Sequence, residues 1–441
     1  MKLDLYRQHI LKLSSLYARI LQAQQYDAVV LFAGASEVYF AQDIAVPFRM
    51  LPHFARWCPL HSEGHVLLVD DTGAACLYIH QQQSIWVDSE EQDLSWQDCF
   101  KVIDQKAMLA RIKSASSLAY IGKDAAWLPT AAAINPPELL AKLDFSRRVK
   151  TAYEIDCITT ANATAARGHQ RLRTCFAAGM SEFESHLQYL QAISHDVFEL
   201  PYQNIVAGDE KSAILHYQHK RRDKCDFRLL LADCGANYLN YCADITRTYV
   251  RADVEPTFAA LLSGLEVAQQ KLCQQAIAGK NFYDLNFQAH EEIAALLKDT
   301  DVLRVNAEEA IATGLTKLFF PHGLGHMLGV QVHDVNGVNP APAVAPQKPI
   351  LEIFAKLRFR EELAVDEVIT IEPGIYFIPM LLAEHRQDQR LNWRLIDRLL
   401  PLGGMRIEDD VLVATDASVN ITRKFLGNEP IVQVEQAGEV S

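Results

Sequence analysis

Residues 228–251, RLLLADCGANYLNYCADITRTYVR, constrain the fold more than any other stretch of the chain. An apolar run, Leu229, Leu230, Leu231 and Ala232, ends at Asp233. A turn-prone Gly235-Ala236-Asn237 follows, and a second run rich in Tyr, Ile and Thr carries Asp244. If the chain reverses midway between the two acids, they sit on opposed strands and face the same side. Opposed side chains on a strand pair have Cβ atoms about 5 Å apart, and like charges there repel. A bound cation removes that repulsion. The alternative is that one Asp is a turn residue and the other an exposed one, since Asp is enriched in turns.

At 441 residues the chain exceeds the usual single-domain size, so two domains are the default. Hydrophobic content of 49% and charged content of 22% fit an ordinary globular protein. No apolar stretch approaches the length that spans a bilayer. The charged, amphipathic start, MKLDLYRQHILKLSSLYARILQ, reads as a helix rather than a signal peptide. A net charge of −13 without a basic block argues against nucleic acid or anionic membranes as partners. Nine scattered cysteines with no CxxC pair point to reduced, buried thiols in a cytoplasmic protein.

In the first third, residues 26–32 (YDAVVLF), 65–69 (HVLLV), 75–78 and 118–121 read as buried strands separated by turn signals such as Asp70-Asp71-Thr72-Gly73. Their alternation with helical segments predicts an α/β N-terminal domain over residues 1–148. Asp43, Pro47, Phe48 and Trp57 lie in a loop-like segment that either contacts another chain or a ligand, or is plain core and turn. The basic junction Arg147-Arg148-Val149-Lys150 opens a second domain, 149–441. There 151–178, 182–192, 256–277 and 285–297 read as helices, 200–208 and 212–217 as strands, and 339–349 as a Pro-rich loop. From Val365 on the chain is mostly strand-like, which predicts an α+β domain.

Four further stretches carry polar residues where apolar ones belong. In FPHGLGHMLGVQVHD, residues 320–334, Gly323 and Gly325 free the backbone to aim His322 and His326, and His333 follows. Histidine is the commonest metal ligand, and three in one Gly-rich segment strengthen that reading. In EVITIEPGIYF, period-two alternation points Glu372 inward with Val368 and Thr370. In GGMRIEDDVLVA, Glu408 has the same character, with Arg406 on its face. His216, within ILHYQ, is placed to lie beside the opening hairpin. A strand-end cap at Glu372 and a solvated charge run at 408–410 are the alternatives. Four inward acids, Asp233, Asp244, Glu372 and Glu408, balance two divalent cations. With one imidazole such a set favours hard or borderline metals.

These motifs carry a resemblance. Asp233 and Asp244 eleven apart, His326, Glu372 in TIEPG and Glu408 in RIED resemble the five-ligand set of the pita-bread metallopeptidases. PYQNIVAG, ADITRTY, PHGLGHMLGVQVHD, TIEPGIYF, GGMRIED and the N-terminal VPFRMLPHFARW are similar to bacterial Xaa-Pro dipeptidases (prolidases) and the related organophosphorus acid anhydrolases. The resemblance implies a C-terminal pita-bread (creatinase/aminopeptidase-like) domain holding two divalent ions per subunit, Mn2+ foremost, with Co2+, Fe2+ or Zn2+ as substitutes. It implies that Asp233 binds one ion, that His326 and Glu372 bind the other, and that Asp244 and Glu408 bridge both. A bridging hydroxide would attack the scissile carbonyl, with Glu372 as proton shuttle and His216 and His333 steadying substrate and oxyanion.

The same resemblance places His322 at the entrance or beside the substrate, and Tyr202 and Val332 at the small leaving-group pocket. Asp43 matches a region contributed by a dimer partner, which implies a homodimer. Arg406 is expected to orient Glu408 or a neighbouring acid through a bidentate pair. One stretch departs from the pattern. Where this group carries a sequence like LRCTRILQPG, residues 357–366 read LRFREELAVD. Glu361 stands where the carboxylate-gripping Arg is expected, leaving Arg358 and Arg360 as candidates, and Val365-Asp366 replace Pro-Gly. The implied activity is metal-dependent hydrolysis of Xaa-Pro dipeptides, with organophosphorus esters as side substrates. The alternatives are an aminopeptidase P acting on longer Xaa-Pro peptides and a non-catalytic peptide-binding module.

Overall fold

The structure is a computed structural model describing residues 1–81, 94–224, 226–335 and 356–427, with the backbone of Gln433–Val434. The Pro-rich stretch 339–349 lies outside the described residues. The chain divides into two compact units, with the break between Asp156 and Cys157. It falls inside the helix Ala152–Ala177 rather than at the basic junction.

The first unit is built on the strand Ala28–Phe32, whose residues are all buried. It pairs antiparallel with Val66–Asp70 and parallel with Leu118–Ile121, at the centre of a six-stranded mixed sheet. An all-apolar strand suits that place, because both its faces are covered. The helix Leu3–Gln24 turns Tyr6, Ile10, Leu13, Tyr17 and Leu21 inward, at the spacing of one helical face. Trp57 is fully buried, so it is core; Asp43 sits in an exposed loop.

In the second unit a four-stranded sheet runs in the order Gln433–Val434, Thr246–Arg251, Leu229–Asp233, Ile205–Gly208. Leu230 and Ala232 pack with Leu172, Phe176 and Tyr189 of the helices Ala152–Ala177 and Glu182–Ile193. Leu229 faces the larger core formed by the helices Pro256–Gln275 and Phe282–Asp299 with Ile369, Ile371, Ile407 and Val411. A second sheet pairs Val368–Ile371 with Asp409–Leu412 and Val419–Asn420. Between the sheets, the backbone N–H of Glu408 donates to Thr246 O at 3.1 Å. The Arg247 guanidinium then caps both chains, donating to Thr246 O at 2.9 Å and Glu408 O at 2.8 Å, and to Asp409 Oδ1 at 2.6 Å.

Several expectations need correction. The chain reverses near the midpoint between Asp233 and Asp244, as expected, but through a two-stranded ribbon, Asn237–Tyr238 against Tyr241–Cys242, that turns at Leu239 and Asn240, whose φ angles are 50° and 72°, about one residue past that midpoint. Asp233 therefore opposes Thr246, not Asp244. Residues 212–217 form no strand. A 3-10 helix, Asp209–Ala213, leads into a turn, and Tyr217 is buried against Ile205, Ala207 and Leu231 instead of pairing. The strand expected over 200–208 is confined to Ile205–Gly208. The last quarter is interrupted by the helices Pro379–Leu382 and Trp393–Leu399. Asp366 takes φ 67°, a left-handed conformation that Asp tolerates.

In the first unit Glu154, 2% exposed, receives hydrogen bonds from Arg56 Nε at 3.1 Å and Nη2 at 3.4 Å. Burial alone would raise its pKa, but nearby positive charge, Arg56 first, holds it down at about 2. The folded value lies below the ordinary 4.5, so this stabilisation is complete above that pH and is lost as pH falls toward 2. Glu154→Gln is expected to cost about 3 kcal/mol near neutrality. The gap from the parent should close on acidification, as measured by denaturant unfolding from pH 7 to 2.5. A gap independent of pH would rule the account out.

Candidate metal centre

Each acidic side chain of the site is delivered by the end of a strand. Asp233 ends Leu229–Asp233, and Asp244 precedes Thr246–Arg251 on the neighbouring strand. Glu372 follows Val368–Ile371, and Glu408 precedes Asp409–Leu412 beside Thr246. His326 arrives on a segment lying along Val368–Ile371: its N–H donates to Thr370 Oγ1 at 3.1 Å, and Thr370 N–H donates to His326 O at 2.9 Å. Gly325 is required there, because a Cβ would meet Thr370 O at 2.0 Å. The segment cannot approach the strand so closely with any larger residue.

These five side chains line one cavity of about 410 Å3. Ligand atoms of Asp244, His326 and Glu408 lie within 4.8 Å of one another. His326 Nε2 is 3.5 Å from Asp244 Oδ2 and 3.7 Å from Glu372 Oε1. The other ring nitrogen, Nδ1, donates to Met327 O at 3.0 Å, which turns Nε2 toward the acids. Tyr202 donates to Asp244 Oδ1 at 2.6 Å, and Thr246 to Glu408 Oε2 at 2.7 Å. Asp233 Oδ2 accepts from Arg406 Nη2 at 2.6 Å, whereas its buried Oδ1 has no partner.

Charge is in conflict here. Burial, reinforced by Asp244 and Asp233, pushes Glu372 up to about 7. Burial and the neighbouring acids push Glu408 well above the carboxylate range. His326 would be lowered by burial, but Asp244 and Glu372 hold it up at about 9. Protein groups alone thus leave acids protonated, an imidazole charged and a carboxylate oxygen orphaned. A cation fits: oxygen donors with one imidazole suit a hard or borderline divalent ion.

Around this cluster Arg406 Nη1 donates to Tyr376 OH at 2.8 Å, and that hydroxyl donates on to His322 Nε2 at 2.9 Å. Arg406 therefore orients Asp233 through a single hydrogen bond, not a bidentate pair. His322 donates from Nδ1 to Gly323 O at 2.9 Å, and burial, with Arg406, pushes it down to about 3, so it stays neutral. His333 stands edge-on to His326 with ring centroids 4.4 Å apart. Burial first, then His326 and Arg358, lower it to about 4. His216, Tyr202 and Val332 line the same cavity. So does Arg358, whereas Arg360 does not. Asp43 belongs to the first unit.

Sequence reasoning missed several contributors. Lys356 lines the cavity beside Arg358. Asp410, completely buried, accepts from Asn162 Nδ2 at 2.8 Å and from the backbone N–H of Asp244 at 3.1 Å. The run 408–410 is therefore not solvated. Alternation along the strand gave a signal for Asp410, two residues after Glu408; Asn162, inside an Ala-rich helix, gave none.

Residues 156–415 match the family model described as metallopeptidase family M24, and residues 4–145 match the Xaa-Pro dipeptidase N-terminal domain. The chain is 36% identical over 436 residues to the Xaa-Pro dipeptidase of Shewanella sp. (strain W3-18-1), covering 95% of this chain and 98% of that one. It is 35% identical over 441 residues to Xaa-Pro dipeptidase 2 of Idiomarina loihiensis, covering 96% and 99%. Among solved structures, proline aminopeptidase P II from Yersinia pestis aligns with a TM-score of 0.74 at 21% identity, covering 98% of each chain. Escherichia coli aminopeptidase P with the inhibitor Pro-Leu aligns at 0.74 and 21%, covering 96% and 97%. Among the described residues no helix is long and apolar enough to cross a membrane.

A divalent ion must displace the proton on His326 and needs Glu372 ionised. Binding to the metal-free protein should therefore release protons, with affinity rising between pH 6 and 9 and more steeply below about 7. Calorimetry in buffers of different ionisation enthalpy measures the count. Binding without proton release would contradict this arrangement.

Proposed function

Because the chain belongs to metallopeptidase family M24, joining an N-terminal domain to a C-terminal pita-bread domain, we propose that its chemistry takes place where Asp233, Asp244, His326, Glu372 and Glu408 converge. It is a metallopeptidase of the prolidase kind and hydrolyses Xaa-Pro dipeptides, in line with the relatives it matches end to end. The aminopeptidase P structures, at low identity, speak for the fold. The convergence of those five side chains on one cavity is the observation that carries the assignment of the site.

Divalent metal ions serve this family's reaction. Two per subunit, Mn2+ before Co2+, Fe2+ or Zn2+, is our assignment, supported by four carboxylates against one imidazole. When bound, such ions acidify a water and polarise the scissile carbonyl. Glu372, in the lining of the same cavity, is assigned to take a proton from the attacking water and return it to the leaving nitrogen. His333, neutral at working pH, and His216 are assigned to donate hydrogen bonds to the carbonyl oxygen as charge develops. His322, held in place by its hydrogen bond from Tyr376, positions the substrate, and Tyr202 and Val332 shape the pocket around it. Arg358, with Lys356 beside it, is the candidate for the dipeptide's terminal carboxylate; its place in the cavity lining favours it over Arg360.

We assign a homodimer as the working form, with the Asp43 loop at the contact. The support is that Val38, Tyr39, Phe40 and Ile44 around it are exposed, Phe40 at 97%. A cytoplasmic location is supported by the described cysteines, which form no disulfide with one another.

Metal-loaded enzyme offered Ala-Pro and Ala-Pro-Ala separately should cleave the dipeptide with a kcat/KM about tenfold or more above that for the tripeptide. Cleavage of the tripeptide alone would overturn the dipeptidase reading. Asp244→Asn removes one charge from the cluster and should lower kcat by about a thousandfold, with a matching loss of metal measured by elemental analysis. A variant that keeps both metal and rate would place the site elsewhere.

A further inference from the structure

We infer that the second unit holds a separate binding site for a phosphate-class oxyanion, free or as the end of a phosphomonoester. It occupies a cavity of about 600 Å3 walled by Phe183 and His186 of the helix Glu182–Ile193 and by residues 218–223, QHKRRD. His186 is 8% exposed and still lines the cavity. Asn204 Nδ2 lies 3.4 Å from its Nδ1, so Nδ1 accepts and the proton resides on Nε2. A ring N–H donor thus belongs to the cavity lining.

Two cations join it. Lys220 is half-buried, and its ammonium reaches only the Gln218 carbonyl, at 3.4 Å. Burial lowers its pKa, against the opposing pull of Cys234 and Glu182. Arg222 stacks over the Phe183 ring at 4.1 Å. Among the described residues no carboxylate pairs with either. Arg221 is different: it is neutralised by Glu182 at 2.8 Å and Glu210 at 3.3 Å. The helix N-terminus does not explain the cluster, because Ser181 and Glu184 already cap it reciprocally. Lys220 is the half-buried one of the two, and Arg222 is exposed. An imidazole N–H, an ammonium and a guanidinium around one cavity are the donors that hold a phosphate.

Asp223 is the one acid in the lining, which leaves the site cationic on balance. Gln218 also lines the cavity of the metal centre, two residues after His216. An occupant would therefore steady the segment that carries His216. That consequence rests on the function proposed above; binding itself does not.

Metal-loaded protein is titrated calorimetrically with inorganic phosphate and with glycerol 3-phosphate at constant ionic strength, chloride serving as control. At least one should bind saturably at millimolar concentration or below. The double variant Lys220→Gln/Arg222→Gln should weaken it about tenfold, and His186→Gln about threefold. Tighter binding of inorganic phosphate assigns the site to the free anion, and tighter binding of the ester to a phosphorylated metabolite. Phosphate captured by the metal centre would bind equally well to the double variant. That equality, or no saturable heat with either ligand, overturns the site. Should the double variant unfold, each single substitution keeps the test, with an expected loss of about threefold.

Discussion

Repulsion among carboxylates confined in a small, largely dry space governs this structure. Asp244 and Glu408 are 5% and 2% exposed, and Asp233 and Glu372 share their cavity. Burying charge without compensation is costly, so the surrounding fold must hold the acids together against their own field. Hydrogen bonds do much of that work. Tyr202, Thr246 and Arg406 each take one oxygen of one acid, and Asp410 reaches past the side chains to hold the backbone of Asp244. What they leave is a protonated carboxyl near 7, a charged imidazole near 9 and the unpartnered Oδ1 of Asp233. Divalent cations resolve all three at once.

A second layer of charge, self-contained, fixes the sheets that carry the first. Asp409 is buried between Arg247 and Arg423, at 2.6 Å and 2.7 Å. Those two guanidiniums hold its carboxyl below the usual range despite burial. The three consecutive acids 408–410 thus have three different fates: one faces the cavity, one is neutralised by arginines, and one supports the neighbouring strand. Strand alternation separates the first and third from the second, and the sequence order alone does not say which face is wet.

Much of the site could be read from sequence because its residues break rules. Asp233, Glu372 and Glu408 interrupt or close apolar runs, and His326 sits in a Gly-rich segment; each looks out of place, and all line one cavity. The supporting residues break no rule. Asn162 in a helix, Thr246 in a strand and Tyr376 after a turn are ordinary where they stand, and only tertiary contacts give them a role. The errors were also local. The chain turned at Leu239–Asn240, about one residue past the midpoint between Asp233 and Asp244, which set Asp233 opposite Thr246. The alternating SAILHY pattern satisfied its apolar residues by packing Tyr217 onto the sheet without pairing a strand.

The bond from Thr246 to Glu408 spans 162 residues of sequence. Its partners belong to segments of different sheets, and neither reaches the other until those sheets have docked. Contacts of such separation form late, since the loop they close must be ordered first. The cage is therefore a product of folding rather than its template: an ion added to the nascent chain finds only scattered, weak donors, and capture marks the moment assembly is complete.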